Sequence, residues 1–118
     1  MSTSKRMCIA TILSGLLWGV VWTSSAIGGE TYVVEQKDKE FVYKGVKVLT
    51  LKIKVGDMIE FKNNDSYFHN VFSLSDVMTF DLGSYPLGQS KSVKFDKPGK
   101  IEIECAIHPQ MHMIVEVK

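Results

Sequence analysis

Long apolar runs are nearly absent from this chain, and the one that exists lies at the N-terminus. The basic pair Lys5-Arg6 precedes an almost wholly apolar stretch from Met7 to Trp22, which is shorter than the roughly 20 residues that a bilayer-spanning helix needs. A cluster of small residues ending at Ala26 follows. This order of features is typical of a secretory signal peptide. The sequence therefore predicts an exported protein.

We expect cleavage after Ala26, so that residues 1–26 form the signal peptide and residues 27–118 form a single domain. Cleavage after Gly29 is a second choice, and retention of the segment as a membrane anchor is the alternative to cleavage. The remaining chain of about 92 residues is large enough for one small domain. The expected location is the periplasm, without membrane attachment of the mature form.

A strong charge of either sign is also absent. The formal net charge is +1 at pH 7, and the loss of Lys5 and Arg6 would leave a slight acidic excess. A nucleic-acid-binding domain would carry a basic face that neutralises phosphates. The charge balance therefore argues against a nucleic-acid partner.

Cysteine is scarce, since only Cys8 and Cys105 occur among the 118 residues. Cys8 would leave with the signal peptide. A single remaining cysteine cannot form an intramolecular disulfide, and an unprotected thiol is readily oxidised in an oxidising compartment. A buried cysteine is often only a small apolar side chain, but metal ligation is the interpretation that protects the thiol.

Helical periodicity is absent from the sequence after residue 30. Leu51, Ile53 and Val55 alternate with lysines, and Ile101 and Ile103 alternate with glutamates. Clusters of Gly, Asn, Asp and Pro separate these short runs. Alternation at period two with such turn signals predicts an all-β domain. We expect a two-sheet Greek-key β-sandwich with seven to eight antiparallel strands.

The strongest chemical signal is the segment Cys105-Ala-Ile-His108-Pro-Gln-Met111. Ile103 should point into the core because the flanking glutamates face water, so Cys105 continues the inward phase at the end of a strand. Pro109 has no N–H to donate to a ladder, so the chain must turn there and can bring His108 and Met111 over the sulfur. A thiol, an imidazole and a thioether form a ligand set for a soft metal.

A further ligand has a candidate upstream in His69, which lies among aromatic and aliphatic residues. Such shielding favours the neutral imidazole, which is the form that ligates metals. We expect the adjacent Asn70 to hydrogen-bond to the backbone of the Cys105 loop and to hold the two ligand segments in register. An ordinary turn or strand-edge role is the alternative for Asn70. His112 is interpreted as a surface residue.

The softness of these ligands selects the metal. Thiolate and thioether ligands favour copper over hard cations, whereas zinc would accept one Cys and two His but gains little from a thioether. The set His69, Cys105, His108 and Met111 fits one copper ion that cycles between Cu(I) and Cu(II), as in the electron-transfer sites with two His, one Cys and a weak axial Met. Met113 is a second candidate for the axial position. We favour Met111 because Met113 can then begin the last strand inside the core.

The same residues carry a family likeness. The Cys105–Met111 loop resembles the carboxy-terminal ligand loop of the cupredoxins, the type 1 blue-copper proteins. The segments Lys54–Asn63 and Asn64–Val71 resemble the strand and first-histidine region of plastocyanin-like members, and Phe95–Gly99 resembles the turn before the cysteine strand. The likeness spans the whole chain after the predicted signal peptide. The short His-Pro-x-Met spacing is most similar to that of the amicyanins.

One position departs from the family pattern, since Ala106 stands where Ser or Thr often follows the cysteine. Any bridge from Asn70 must therefore reach the loop backbone. The resemblance implies that His108 is the ligand whose ring edge reaches the surface, where electrons would enter and leave. The apolar docking patch around it would include Pro86, Leu87 and Pro109.

The resemblance implies an exported type 1 copper protein that carries single electrons between larger redox proteins. The donor and acceptor would bind weakly and transiently, and the carrier would be a monomer without enzymatic turnover. A copper-binding module for storage, sensing or delivery is the alternative, because it would use the same ligands but exchange its metal. An enzyme domain is disfavoured because a chain of this size offers no second metal cluster and no acid–base pair.

Overall fold

The computed structural model describes residues 29–118, together with residues 15, 19 and 20. The predicted signal peptide and its cleavage after Ala26 lie outside the described residues, so this prediction stays a prediction. All regular secondary structure in residues 29–118 is β-strand. The described residues contain no helix with the length and hydropathy required to span a membrane. The ten strands are β1 Thr31–Lys37, β2 Glu40–Tyr43, β3 Val46–Lys47, β4 Thr50–Ile53, β5 Met58–Asn63, β6 His69–Ser75, β7 Met78–Tyr85, β8 Ser90–Lys94, β9 Gly99–Glu104 and β10 His112–Val117.

The strands form two five-stranded sheets with the core between them. The first sheet has the order β3-β2-β1-β5-β8, and the second has the order β4-β10-β9-β6-β7. The predicted all-β two-sheet sandwich is therefore confirmed. The strand number is ten rather than seven to eight, because residues 40–53 contain three short strands where alternation is too brief to separate one strand from the next.

The first two hairpins turn through two residues with positive φ. Asp38 and Lys39 have φ of 52° and 57°, and Lys44 and Gly45 have φ of 50° and 79°. Two consecutive residues of this kind are typical of a type I′ turn, whose twist matches that of the flanking strands. Glycine adopts positive φ readily, whereas Asp38 and Lys39 need support. It comes from Asp65, whose carboxylate accepts hydrogen bonds from both of their N–H groups.

Two pairs of neighbouring strands are parallel, although the sequence predicted an antiparallel sandwich. β1 runs parallel to β5, and β4 runs parallel to β10. Two parallel neighbouring strands need a crossover connection, which carries the chain back to the end of the sheet where the first strand began. Between β1 and β5 this connection includes β4, which belongs to the opposite sheet. Apolar alternation is the same beside a parallel or an antiparallel neighbour. The sequence pattern could therefore not distinguish the two.

The core supports one end of the sandwich, where the predicted ligands meet. Ile101 and Ile103 of β9 are fully buried and Glu102 is exposed, which confirms the predicted inward phase. Each buried large apolar side chain contributes about 1.5–3 kcal/mol. Cys105 directly follows β9 and continues this phase, and it is buried as well. His69 opens β6, which pairs with β9 in the same sheet.

Candidate metal centre

Three of the predicted ligands converge at this end of the sandwich. The Nδ1 atom of His69 lies 3.7 Å from the sulfur of Cys105 and 3.1 Å from Nδ1 of His108. All three donor atoms lie within 4.8 Å of one another. His69 and Cys105 are buried, whereas His108 is half-buried. The sequence therefore identified residues that the fold brings together, although 36 positions separate His69 from Cys105.

The loop between β9 and β10 is closed by its own backbone. The N–H of Cys105 donates to the carbonyl of Met111 over 3.3 Å, and the N–H of Met111 donates to the carbonyl of His108 over 2.9 Å. These bonds make the turn that Pro109 was expected to impose. They also leave the short loop little freedom to separate His108 from the thiol.

The strand register separates the two methionines that could serve as the axial ligand. Both side chains are buried. Met113 pairs with Ile103 in the β9–β10 ladder, which places it two residues further into the sheet than Met111, or about 7 Å along the strand. Met111 lies beside Cys105, since the carbonyl of Met111 accepts the hydrogen bond from the N–H of Cys105. This register favours Met111, and Met113 packs in the core as expected.

The ring of His69 is oriented by a carboxylate that the sequence analysis did not single out. Nε2 of His69 lies 2.6 Å from Oδ2 of Asp65, and both side chains are buried. A carboxylate can only accept, so Nε2 carries the proton and donates it. Nδ1 then keeps its lone pair and points it toward Cys105 and His108. The hydrogen bond selects the tautomer that a metal requires.

Asp65 is itself fixed by the backbone. Oδ1 accepts from the N–H of Asp38 over 2.8 Å, and Oδ2 accepts from the N–H of Lys39 over 3.1 Å. Desolvation raises the pKa of Asp65, but the hydrogen bonds from His69 and from these two N–H groups outweigh it and leave the pKa below the ordinary value. The carboxylate is therefore ionised at neutral pH and cannot rotate away from His69 without breaking the β1–β2 turn. The signal in the sequence was the four-residue spacing of Asp65 and His69.

Asn63 ties the same segment to the loop before β6 and to the end of β7, and it too was missed because its local pattern does not distinguish it from an ordinary turn residue. Its Nδ2 donates to the carbonyls of Tyr67 and Tyr85 over 2.8 and 2.9 Å. Its Oδ1 accepts from the N–H of Asp65 over 2.8 Å. The side chain is fully buried. Asn63 thus holds the loop that delivers both Asp65 and His69.

The predicted strut between the two ligand segments is present. Oδ1 of Asn70 accepts a hydrogen bond of 2.8 Å from the backbone N–H of Ala106. The alanine at this position cannot bridge through its side chain, so the link runs to the backbone as expected. This bond fixes the residue after His69 to the residue after Cys105. It therefore holds the imidazole and the sulfur in register.

His108 forms the solvent side of the cluster, and Tyr67 covers it. The ring of Tyr67 lies 5.2 Å from that of His108 and 5.5 Å from that of His69 between centroids. Desolvation lowers the pKa of His108 below its ordinary value, and the nearby His69 and Lys39 lower it further. A lowered pKa favours the neutral imidazole at pH 7, which is the ligating form. His112, by contrast, is exposed, as the sequence analysis expected.

The chemistry of the donor atoms fits copper. One thiol sulfur and two imidazole nitrogens face one another, and the carboxylate of Asp65 bonds to the far nitrogen of His69 rather than facing the cluster. Sulfur and imidazole donors suit copper, whereas calcium and magnesium require oxygen donors. Burial of Cys105 and His69 excludes water from most of the cluster.

Nearly all of the described chain matches one family of known proteins. Residues 30–118 match the family described as copper binding proteins of the plastocyanin/azurin family. A comparison with curated proteins by sequence gives no match. The matched range contains both sheets and all four predicted ligands, so the family assignment rests on the domain that carries the cluster.

Solved structures with the same fold include two forms of amicyanin. The Cu(I) form of a methionine-to-alanine variant is 23% identical, with a TM-score of 0.67 over 79% of this chain and 87% of that one. The reduced Cu(I) form at pH 4 of a proline-to-glycine variant is 25% identical, with a TM-score of 0.65 over 75% of this chain and 82% of that one. A copper-containing nitrite reductase from Thermus scotoductus SA-01 is 25% identical, with a TM-score of 0.64 over 75% of this chain but 22% of that one.

Proposed function

The chain belongs to the plastocyanin/azurin family of copper-binding proteins, and we propose that it is an exported carrier of single electrons between larger redox proteins. One observation carries the proposal. Two imidazole nitrogens and a thiol sulfur lie within 4.8 Å of one another at the end of a two-sheet sandwich. A small domain with a single soft-metal cluster and a buried thiol suits storage of one electron better than turnover of a substrate.

We assign His69, Cys105, His108 and Met111 as the residues that hold one copper ion. When bound, copper supplies the exchange of one electron between Cu(I) and Cu(II). The protein contributes a framework that changes little between the two states, because the ligand segments are cross-linked by backbone hydrogen bonds and by the Asn70 bridge. A framework of this kind keeps the structural reorganisation that accompanies each transfer small.

The surface around His108 is the proposed contact for redox partners. His108 is half-buried, and its exposed neighbours in the chain, Ile107 and Pro109, offer an apolar contact. Phe68, Leu87 and Ile107 are the large exposed apolar residues on the loops near the cluster. Carriers of electrons form weak, transient complexes through small contacts. The partners would be a donor and an acceptor of electrons, and the carrier would act as a periplasmic monomer without enzymatic activity.

Reconstitution of residues 27–118 with cupric ion tests the proposed function. We expect an intense blue colour in the oxidised protein, reversible bleaching on reduction by one electron per chain, and retention of copper against a mild chelator. A colourless protein that loses its metal to the chelator would contradict the carrier role and support copper delivery. The measurements are the visible spectrum, a reductive titration and the copper content after dialysis.

The axial assignment predicts different behaviour for two buried methionines. Met111→Leu should retain copper but raise its reduction potential, because loss of a weak sulfur donor disfavours Cu(II) more than Cu(I). A rise of the order of 59 mV corresponds to a tenfold change in relative affinity for the two states. Met113→Leu is the matched control, and it should leave the spectrum and the potential close to those of the parent. The opposite result would move the axial ligand to Met113.

A further inference from the structure

The carboxylate of Asp65 contacts a predicted metal ligand, and support of the backbone alone does not explain this contact. Its side chain is 6% exposed, and its two oxygens accept from the N–H groups of Asp38 and Lys39. A carboxylate in that environment already has strong partners. Oδ2 nevertheless makes its shortest contact, 2.6 Å, with Nε2 of His69, on the ring edge that faces away from Cys105.

This contact determines which nitrogen of His69 is free. With Nε2 donating to Asp65, Nδ1 is unprotonated and faces the sulfur of Cys105 and Nδ1 of His108. Without an acceptor on the Nε2 side, either nitrogen could carry the proton, and a proton on Nδ1 would point into the cluster. The carboxylate therefore prepares the lone pair before a metal arrives.

The charge of Asp65 has a second consequence for the bound metal. A hydrogen bond to a carboxylate makes an imidazole a stronger donor than a hydrogen bond to a neutral group does. A buried negative charge also interacts more strongly with a cation than an exposed charge does. Both effects favour Cu(II) over Cu(I), because the more highly charged ion gains more from each.

We propose that Asp65 is a positioning residue that holds His69 in its metal-binding tautomer and lowers the reduction potential of the copper centre. The part that concerns the reduction potential rests on the proposed function, since a potential matters only in a redox protein. The part that concerns the tautomer of His69 applies to the metal-free protein as well. The type I′ turn at Asp38 and Lys39 thereby becomes part of the metal centre, because it clamps the carboxylate in place.

Asp65→Asn tests the inference with nearly the same volume. The substitution removes the negative charge, while the amide oxygen in the place of Oδ2 can still accept from Nε2 of His69 and from the N–H of Lys39. We expect copper affinity to fall, because His69 then donates to a neutral acceptor instead of a carboxylate and becomes a weaker ligand. The loss should be about tenfold greater for Cu(II) than for Cu(I), which is a rise in potential of about 59 mV.

Asp57→Asn is the matched control. Asp57 is 4% exposed and accepts from the N–H groups of Glu30 and Lys54, each over 2.8 Å. It is thus a buried carboxylate that holds backbone as Asp65 does, and its hydrogen-bond partners include no histidine. Asp57→Asn should destabilise the fold but leave the potential unchanged. Equal potentials for the parent and both variants would overturn the inference, as would equal shifts in both variants.

The tautomer is measured independently of copper by the nitrogen chemical shifts of His69 in the metal-free protein at about pH 8, above the ordinary pKa of a free histidine. The parent should show a protonated Nε2, and Asp65→Ala, which removes the side-chain acceptor altogether, should shift the proton toward Nδ1. An unchanged tautomer in a folded variant would overturn the positioning role. If the parent binds no copper in a blue form, the proposed function fails while the tautomer result still stands. If the parent is blue and the potential of Asp65→Asn is unchanged, only this inference fails.

Discussion

Cys105→Ser is expected to abolish the blue absorption of the copper-loaded protein. The strong visible colour requires a thiolate bonded to Cu(II), and serine offers only a neutral hydroxyl oxygen. The substitution changes one buried atom, so the sandwich should still fold. Burial of a hydroxyl in place of the thiol costs about 1–3 kcal/mol unless it finds a hydrogen bond. The expected result is therefore a folded protein that has lost nearly all of its visible absorption.

The visible spectrum of the oxidised protein, normalised to bound copper, measures this loss. His112→Asn is the control, because His112 adjoins Met111 in the chain but is exposed and lies outside the cluster of donor atoms. It should keep the full colour. A blue Cys105→Ser protein would remove the thiol from the proposed ligand set. A colourless His112→Asn protein would show that the cluster had been assigned to the wrong histidine.

Asn63→Ala is expected to lower the free energy of unfolding of the metal-free protein by about 3–5 kcal/mol. The substitution leaves the carbonyls of Tyr67 and Tyr85 and the N–H of Asp65 without the partner that each has in the fold. An unsatisfied buried polar group costs about 1–3 kcal/mol. Domains of this size are stable by only about 5–15 kcal/mol. Loss of one amide should therefore remove a large part of the stability.

Denaturant unfolding followed by far-UV circular dichroism measures the effect. Asn64→Ala is the control, since Asn64 is half-buried and its backbone N–H, rather than its side chain, makes the hydrogen bond to Gln36. This control should change the free energy of unfolding by less than about 1 kcal/mol. Equal effects of the two substitutions would contradict the role assigned to Asn63. Asn63→Ala should also bind copper less tightly than the parent, because Asn63 holds the loop that carries His69.

The downstream ligands could be predicted from the sequence because they are close together and their strand has a clear phase. Glu102 and Glu104 had to face water, so Ile103 and Cys105 had to face the core. Pro109 had to end the strand. Those local rules were enough to bring His108 near the sulfur, although Glu104 is half-buried and β9 already ends there, five residues before Pro109.

The contacts around His69 could not be predicted in the same way. Asp65 and its neighbours were recognisable as a turn, but a turn signal does not say which atoms its side chains will meet. The acceptors and donors that fix Asp65 and Asn63 lie on the β1–β2 turn, on the loop before β6 and at the end of β7. Their partners become neighbours only when both sheets have formed.

The sequence alone determined that the chain forms strands, which faces of those strands are buried, and which side chains can bind a soft metal, because alternation and ligand chemistry are local properties. The tertiary structure decided which strands are parallel, which methionine pairs with the backbone of Cys105, and which carboxylate holds the imidazole of His69. These features depend on how separate segments pack against one another, and residues far apart in the chain carry no local record of that packing.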